Sequence, residues 1–175
     1  RALLQREAAG KRFLNLFAYT STATVYAAKG GASHSVSVDM SQTYIDWSAD
    51  NFALNQIDRR RHQLVNADCL DWLQQHQEYY DIILLDPPSF SNSKKMSQTL
   101  DIQRDHQAII ELAVARLAPA GRLYFSTNKR GFRMSDLVAA EYSVKEITSA
   151  TQSADFQRAK AAHRCWQITK QPDEF

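Results

Sequence analysis

The chain has little of what marks several common classes of protein. Its 175 residues include only two cysteines, Cys69 and Cys165, and its five histidines do not fall at the spacing of a metal site. Two cysteines make no disulfide framework, so the sequence predicts no metal and a reducing, cytoplasmic location. It also lacks any run of 18 apolar residues, which a membrane-spanning helix would need, and we therefore expect no membrane contact.

Charge of one sign and glycine are also scarce. The formal net charge is +2, so the overall field does not indicate a nucleic-acid partner, and only local basic clusters can point to one. The five glycines form neither the G-x-G-x-x-G fingerprint of dinucleotide-binding folds nor a phosphate loop with its lysine. We therefore do not expect a ligand that is held through a glycine-rich phosphate cradle.

Residues 1–12 look helical and precede the first strand-like segment. The chain does not begin with methionine, and we expect these residues to be a helical lead-in from an earlier part of a longer polypeptide. Residues 13–175 are expected to form one domain, because a chain of this length can bury a single core of useful size.

Strand-like and helix-like segments alternate through the first 127 residues, which predicts a mostly parallel sheet with right-handed crossovers and helices on both faces. Two further strands follow closely, so we expect about seven strands and an antiparallel pair at one edge. A polar segment, 91–99, is expected to be a mobile loop. The predicted strands are 13–18, 35–39, 62–66, 80–86, 122–127, 142–148 and 164–169, and the predicted helices are 22–29, 42–54, 70–77, 103–117 and a short one from Ser135.

The most informative segment is an apolar strand that runs into a carboxylate, two prolines and an aromatic ring. Ile82–Leu85 are continuously apolar, which is typical of a strand buried on both faces. Proline cannot continue a central strand, so the chain must turn where Asp86 emerges. Asp86, Pro87, Pro88 and Phe90 are thus predicted at the carboxyl end of a central strand, where open α/β sheets bind their ligands.

Acidic residues also follow the second and third predicted strands. A carboxylate at Asp39 can accept hydrogen bonds from both ribose hydroxyls of an adenosine-bearing cofactor, with Met40 against the adenine and Asp68 accepting the adenine amino proton. The plainer interpretation makes both acids helix N-caps, and Met40 and Cys69 packed core residues; for Asp68 the two roles are compatible. Because these positions coincide at neighbouring strand ends, they favour an adenosine cofactor across the top of the sheet, with a reaction site beside Asp86.

The same segments resemble class I S-adenosylmethionine-dependent methyltransferases. This resemblance is carried by Asn15–Val25, Val38–Ser41, Asn51–Asn55, Asp68-Cys69 and Asp86–Phe90. A closer resemblance is to the guanine-N7 half of the bifunctional bacterial 23S ribosomal RNA guanine methyltransferases of the K/L type, whose N-terminal half is a guanine-N2 enzyme. The motifs that carry it are Asp86–Met96, Arg104–His106 and Asn128–Arg133.

The resemblance implies a Rossmann-like methyltransferase fold, S-adenosylmethionine as cofactor, and two partners: 23S ribosomal RNA and the N-terminal half of the same polypeptide. Family members usually carry glycine after Tyr-Thr, whereas this chain has Ser21, whose Cβ is expected to crowd the methionine portion of the cofactor. The implied cofactor contacts are Phe17, Ala18, Tyr19 and Thr20 for the methionine moiety, Asp39 for the ribose, Met40, Asp68 and Cys69 for the adenine, and Asp86 at the reacting centre.

Methyl transfer from a sulfonium is an in-line displacement, to which the protein contributes alignment and desolvation. Guanine N7 has a free lone pair, so no general base is required; Asp86 would hold the cofactor ammonium or a guanine N–H, while Phe90 stacks on the base. A cytosine-C5 enzyme would need a cysteine after Pro88, and adenine-N6 enzymes usually place an aromatic residue where Ser89 stands. A cytosine-C5 or small-molecule methyltransferase, or a non-catalytic module that binds cofactor or RNA, remains an alternative.

Two basic clusters are predicted near this site. Lysine and arginine fix phosphates, and an interleaved aromatic ring can stack on an unpaired base. A solvated loop is the plainer interpretation, but the position beside the expected reaction site favours RNA contacts. The candidates are Lys94 and Lys95 after the Asp86 loop, and Lys129, Arg130, Phe132 and Arg133 after the fifth predicted strand.

Overall fold

A computed structural model describes residues 1–92, 99–151 and 163–171. Its strands are β1 Arg12–Leu16, β2 His34–Asp39, β3 His62–Asn66, β4 Tyr80–Leu85, β5 Phe90–Ser91, β6 Leu100–Asp101, β7 Leu117–Thr127, β8 Tyr142–Glu146 and β9 Arg164–Lys170. Its helices are α1 Ala2–Glu7, α2 Thr22–Lys29, α3 Gln42–Leu54, α4 Cys69–Gln75, α5 Ile102–Val114, α6 Asp136–Glu141 and α7 Thr148–Thr151.

Seven of the strands form one sheet in the order β3-β2-β1-β4-β7-β9-β8. The pairs from β3 to β7 are parallel, and β9 runs antiparallel to both β7 and β8. The predicted fold, a mostly parallel Rossmann-like sheet with an antiparallel end, is therefore confirmed. The order reverses between β1 and β4, and it is at such a switch point that open α/β sheets form their binding crevice.

The central strands are buried on both faces, as the apolar run in β4 predicted. Phe13, Ile82 and Tyr124 belong to a cluster on one face, together with α1 and α2 side chains. Leu14, Ile83, Leu85, Leu123 and Phe125 belong to the larger cluster on the other face, with α4 and α5 side chains. Successive residues of a strand point to opposite faces, so each central strand supplies both cores and is held firmly in place.

The segment predicted as a lead-in packs against the rest of the chain. Leu4 and Ala8 are buried in the same cluster as α2. The α1 backbone approaches the end of α2 so closely that a Cβ at Gly30 would overlap the carbonyl oxygen of Gln5. Glycine at this position is therefore what allows α1 to lie against α2.

Several element bounds differ from the prediction: α5 ends at Val114, β8 ends at Glu146, and a short helix, α7, follows β8. Two other differences are larger. Phe90–Ser91 and Leu100–Asp101 form a short antiparallel ribbon, whereas the segment between them, 93–98, lies outside the described residues. The fifth long strand, β7, begins at Leu117 rather than Arg122, because four residues around Pro119 loop out of the ladder and let the strand pair with Tyr80 on one side of the irregularity and Ile82 on the other. None of the helices in the described ranges is long and apolar enough to cross a bilayer.

Candidate active site

The loops that follow β1 and β4 meet at the switch point and enclose a cleft of about 1230 Å³. Residues of α1, α7 and the end of β7 also line it. Eight of the predicted site residues line this cleft, with one residue near the end of β7 and one just after that strand. The lining includes Phe17, Ala18, Tyr19, Thr20, Asp86, Pro87, Pro88 and Phe90, together with Ser126 and Asn128.

The loop after β1 has an unusual backbone. Phe17, Tyr19 and Ser21 have φ angles of 56°, 52° and 53°, in the left-handed region that non-glycine residues rarely occupy. Each such residue costs about 1–3 kcal/mol and persists only when its surroundings hold it. These left-handed residues end β1 at Leu16, whereas the sequence predicted that the strand would continue to Ala18.

Neighbouring strand ends supply part of that support. The Ala18 N–H donates to the Val38 carbonyl at 3.0 Å, and the Phe17 N–H donates to the Cys69 Sγ at 3.2 Å. The Tyr19 N–H donates to Asp39 Oδ2 at 2.9 Å. Residues predicted as separate cofactor contacts are thus connected to one another through the loop backbone.

Asp39 is an organising carboxylate and not the N-cap of α3. Its second oxygen, Oδ1, accepts from the Ser41 N–H at 2.9 Å, while Ser41 is the N-cap and accepts from Tyr44. Only 9% of Asp39 is exposed. Each carboxylate oxygen has more than one acceptor position, so a ribose hydroxyl can still be bound there. Met40, next to it, is half-buried.

Asp68 and Cys69 follow β3 at the start of α4. Asp68 is the N-cap, with its Oδ1 accepting from the Leu70 N–H at 2.8 Å; its proposed contact with adenine stays a prediction. Cys69 is buried, its Sγ lies 3.4 Å from the Val38 carbonyl, and burial raises the pKa of the thiol. The Cys69 side chain therefore packs inside the protein, and only its backbone remains available to an adenine ring.

Asp86 lies in the cleft, as the strand-end rule predicted. Its Oδ1 accepts a hydrogen bond from the Ser126 Oγ at 2.6 Å. The carboxylate is open to the cleft, but the cleft walls displace much of its water, which raises the pKa of Asp86, while the Ser126 hydrogen bond partly opposes this. Ser126 was not predicted, although it is the last but one residue of the strand next to β4, and the same rule would have found it.

The loop after Asp86 is fixed from β7 as well. The Ser89 Oγ donates to Asn128 Oδ1 at 2.6 Å. Pro87 is buried, Pro88 is exposed, and the Phe90 ring is 58% exposed at the mouth of the cleft on the β5–β6 ribbon. An exposed ring held by a hairpin beside a carboxylate is suited to stacking on a planar base.

The basic residues after β7 lie beyond Asn128 on the same side of the sheet. Lys129 Nζ is 3.4 Å from Asp101 Oδ1, and Arg130 and Arg133 are exposed. Lys94 and Lys95 lie outside the described residues.

Two expectations were wrong. Phe132 is 1% exposed and packs against Phe125 and Trp166 at ring distances of 5.6 and 5.3 Å, so it cannot stack on a base. Ser21 does not crowd the cleft: it is fully buried, and its Oγ donates to the Ser48 Oγ on α3 at 2.8 Å. Both side chains turn inward because of tertiary packing that a local motif does not reveal.

A mostly parallel open sheet with acidic residues at its strand ends is an arrangement with which α/β folds bind adenosine-bearing cofactors. The family of S-adenosylmethionine-dependent methyltransferases matches residues 1–156, and the chain belongs to this family. S-adenosylmethionine is its cofactor.

Relatives and solved structures agree with this assignment. The chain is 54% identical to a protein of Chromohalobacter salexigens and 52% identical to one of Saccharophagus degradans, both named "Ribosomal RNA large subunit methyltransferase K/L". These matches cover 96% of the chain but only 23% and 22% of the relatives, so the chain spans about a quarter of their length. The crystal structure of SMU.776 complexed with SAH superposes with a TM-score of 0.79 at 30% identity over 94% of this chain and 47% of that one.

The residues of the cleft and of the neighbouring strand end fit S-adenosylmethionine. The loop from Phe17 to Thr20 offers a wall without bulky charge, and Asp86 offers a carboxylate to a cationic group. Asp39 does not line the cleft itself but bonds Tyr19, which does, and its oxygens keep acceptor positions for hydroxyls. When bound, the cofactor supplies an activated methyl group and its own leaving group. The contribution of the chain is then to orient the acceptor and exclude water.

Proposed function

We propose that this chain transfers a methyl group from S-adenosylmethionine to N7 of a guanine in 23S ribosomal RNA. The observation that carries this proposal is the shared cleft in which Asp86 and the exposed Phe90 face the loop after β1. The name of the relatives, which share 52–54% identity with almost the whole chain, supports ribosomal RNA of the large subunit as the substrate. The resemblance of Asp86–Met96 and Asn128–Arg133 to guanine-N7 enzymes supports the base and the atom.

The chemistry at this atom asks little of the protein. N7 of guanine carries a lone pair and no proton, so the acceptor needs a fixed position and no general base. In this proposal Phe90 stacks on the base, and Asp86, held by Ser126, accepts an N–H of the guanine or of the cofactor ammonium. Pro87 and Pro88 keep this turn stiff, since proline fixes its own φ.

The approach of the RNA follows from where the cations lie. Arg130 and Arg133 are exposed just beyond Asn128, which lines the cleft. Guanidinium groups bind phosphates with paired hydrogen bonds. We place the strand on either side of the methylated guanine along this surface, with Lys94 and Lys95 as further candidates; the guanine itself must be unpaired or flipped out to enter the cleft.

The rest of a longer polypeptide is proposed to take part. The chain spans about a quarter of the length of its relatives, and the resemblance assigns a guanine-N2 methyltransferase to the N-terminal half. We propose that this half helps to present the ribosomal RNA and that the reaction takes place in the cytoplasm, where ribosomes are assembled.

The test combines transfer with chemistry that identifies the atom. The chain, alone and joined to the N-terminal half, is incubated with radiolabelled S-adenosylmethionine and 23S ribosomal RNA from cells that lack this modification. Methylation at N7 leaves a positively charged ring that borohydride reduces and aniline then cleaves, whereas methylation at guanine N2 or cytosine C5 does not. Labelled RNA that is cleaved at one guanine supports the proposal. Labelled RNA that resists cleavage would reassign the atom, and the absence of label with both proteins would exclude this substrate.

A further inference from the structure

Helix α3 directs two polar side chains, Ser48 and Asn51, at the strained loop after β1. The Asn51 Nδ2 donates to the Thr20 carbonyl at 2.9 Å. The Ser48 Oγ lies 3.0 Å from the Tyr19 carbonyl and 2.8 Å from the Tyr44 carbonyl of its own helix, so its proton faces both acceptors. The same Ser48 Oγ accepts from Ser21 at 2.8 Å.

The helix side of these contacts is rigid. α3 has 13 residues, and its buried side chains, Ile45, Ser48 and Phe52, mark the face that packs inward. Ser48 is fully buried, which is uncommon for a serine without a specific partner. A polar side chain at the centre of a buried helix face, with all its partners in one loop turn or its own helix, indicates a specific structural task.

The loop residues in these contacts have a strained backbone that needs support from their surroundings. Tyr19 and Ser21 are left-handed residues on either side of Thr20, and nothing in their own chemistry favours that conformation. The contacts from α3 reach the carbonyls of Tyr19 and Thr20 and the hydroxyl of Ser21, which covers this strained stretch. The aromatic rings of Tyr19 and Tyr44 add an edge-to-face contact with centroids 4.5 Å apart.

We propose that Ser21, Ser48 and Asn51 are positioning residues that hold the loop from Tyr19 to Ser21 in the conformation that binds S-adenosylmethionine, and that they thereby set the affinity for the cofactor. This inference rests on the loop being part of the cofactor site, as assigned above. When a binding-competent conformation is populated only in part, the apparent Kd rises by the inverse of that fraction. Loss of one contact is expected to weaken cofactor binding about 3- to 10-fold.

The experiment compares four variants by calorimetric titration with S-adenosylhomocysteine and by urea unfolding. Ser48→Ala and Asn51→Ala remove the two contacts from α3. Their matched controls are Ser35→Ala, a buried serine that bonds His62 at the opposite end of the sheet, and Asn55→Ala, an amide whose partner is the Asn51 carbonyl at 2.8 Å. We expect a higher Kd in Ser48→Ala and Asn51→Ala than in the unmodified chain. In the two controls the Kd should stay within about twofold of the unmodified chain, even where the free energy of unfolding is reduced as much.

Ser21 supplies a second, independent comparison. Ser21→Ala keeps the left-handed strain and loses the hydrogen bond, whereas Ser21→Gly loses the hydrogen bond and the strain together. We expect Ser21→Ala to weaken binding more than Ser21→Gly. At saturating S-adenosylmethionine the turnover number should be unchanged in all of these variants, because a positioning defect in this loop acts on KM.

The outcomes distinguish failure of the positioning role from failure of the cofactor site. Equal Kd values in Ser48→Ala, Asn51→Ala and their controls would overturn the positioning role while leaving the cofactor site intact. An unmodified chain that fails to bind S-adenosylhomocysteine would overturn both. A higher Kd in Ser48→Ala, Asn51→Ala and Ser21→Ala, with a smaller rise in Ser21→Gly and unchanged Kd values in the controls, supports the proposal.

Discussion

The two ends of the parallel sheet differ in how their polar side chains are satisfied. At the amino end, polar side chains are paired within the protein: His62 bonds Ser35 at 2.9 Å, and His76 bonds the Tyr80 hydroxyl at 2.8 Å. Arg12, at the start of β1, pairs with Glu78. At the carboxyl end, Asp86 and Phe90 are left open to a cleft, and the loop after β1 keeps three strained residues.

This contrast shows where the molecule gives up stability. Burial lowers the pKa of His62 and His76, which favours their neutral forms, whereas the walls of the cleft raise the pKa of Asp86. Strain and unfavourable charge placement are retained where a ligand can use them. Substitutions at the amino end should therefore mainly change the free energy of unfolding. Substitutions at the carboxyl end should mainly change ligand binding and methyl transfer.

The largest expected effect is a difference in unfolding free energy between variants of the buried Phe132 and the exposed Phe90. Phe132→Ala removes a ring from the core packed against Phe125 and Trp166, and should lower the free energy of unfolding by about 3–5 kcal/mol. Phe90→Ala removes an exposed ring and should change it by less than about 0.5 kcal/mol. Urea unfolding of both variants checks this, and equal losses would mean that the two rings do not differ in environment.

The next effect concerns Asp86. Asp86→Asn should reduce methyl transfer at least about 100-fold, because the amide cannot replace a carboxylate that orders the reacting groups. The same variant should unfold less readily at neutral pH. Since the folded state has the higher pKa, it binds more protons than the unfolded state between the two pKa values, and the carboxylate costs stability above that window.

Unfolding titrations of the Asp86→Asn and unmodified chains at several pH values check the second part. The advantage of the variant should disappear as the pH falls and Asp86 becomes protonated in both states. An advantage that persists in acid would show that the carboxylate charge is not its source.

Phe90→Ala should weaken binding of a guanine-containing RNA fragment by about 1–3 kcal/mol, the usual worth of a base stacked on an aromatic ring. Phe90→Tyr, which keeps the ring, is the matched control and should bind normally. Filter binding at fixed salt measures both. Unchanged affinity in the alanine variant would remove Phe90 from the RNA surface.

A smaller change is expected when Arg130 and Arg133 are both replaced by alanine. Each phosphate contact that is lost should reduce the slope of log K against log salt by about 0.7–0.9. Arg60, which is exposed and paired with Asp58 away from the cleft, provides the control substitution. A slope unaltered by the double replacement would place the RNA elsewhere.

The smallest effect belongs to the amino end. Because the folded pKa of His62 lies below its value of 6.5 in the unfolded chain, the folded state binds fewer protons and loses stability as the pH falls through that range. His62→Asn should flatten this loss without changing the Kd for S-adenosylhomocysteine. A changed Kd in His62→Asn would contradict the inference that the amino end of the sheet does not take part in cofactor binding.

The sequence predicted the fold well because its strongest signals are local and repeated. The bounds of α2, α3 and β3 were predicted to the residue, and the β4 run identified the central strand and the position of Asp86. Alternation of strands and helices then predicts parallel strands joined by right-handed crossovers.

Orientation of single side chains was less predictable. Trp47 on α3 is 49% exposed, whereas the small, polar Ser48 beside it is fully buried. The hydrophobicity of a residue does not show which helix face meets a polar loop, and Ser48 faces backbone carbonyls that only the fold brings near. The burial of Phe132 has the same cause, since its partners Phe125 and Trp166 are contributed by two separate strands.

The most direct test of the account is a crystal structure of the chain with S-adenosylhomocysteine. The account predicts the ribose hydroxyls on Asp39, the amino-acid portion along Phe17–Thr20, and the sulfur facing the Asp86 side of the cleft. A ligand bound elsewhere, or a cleft between β1 and β4 that stays empty in the complex, would contradict it.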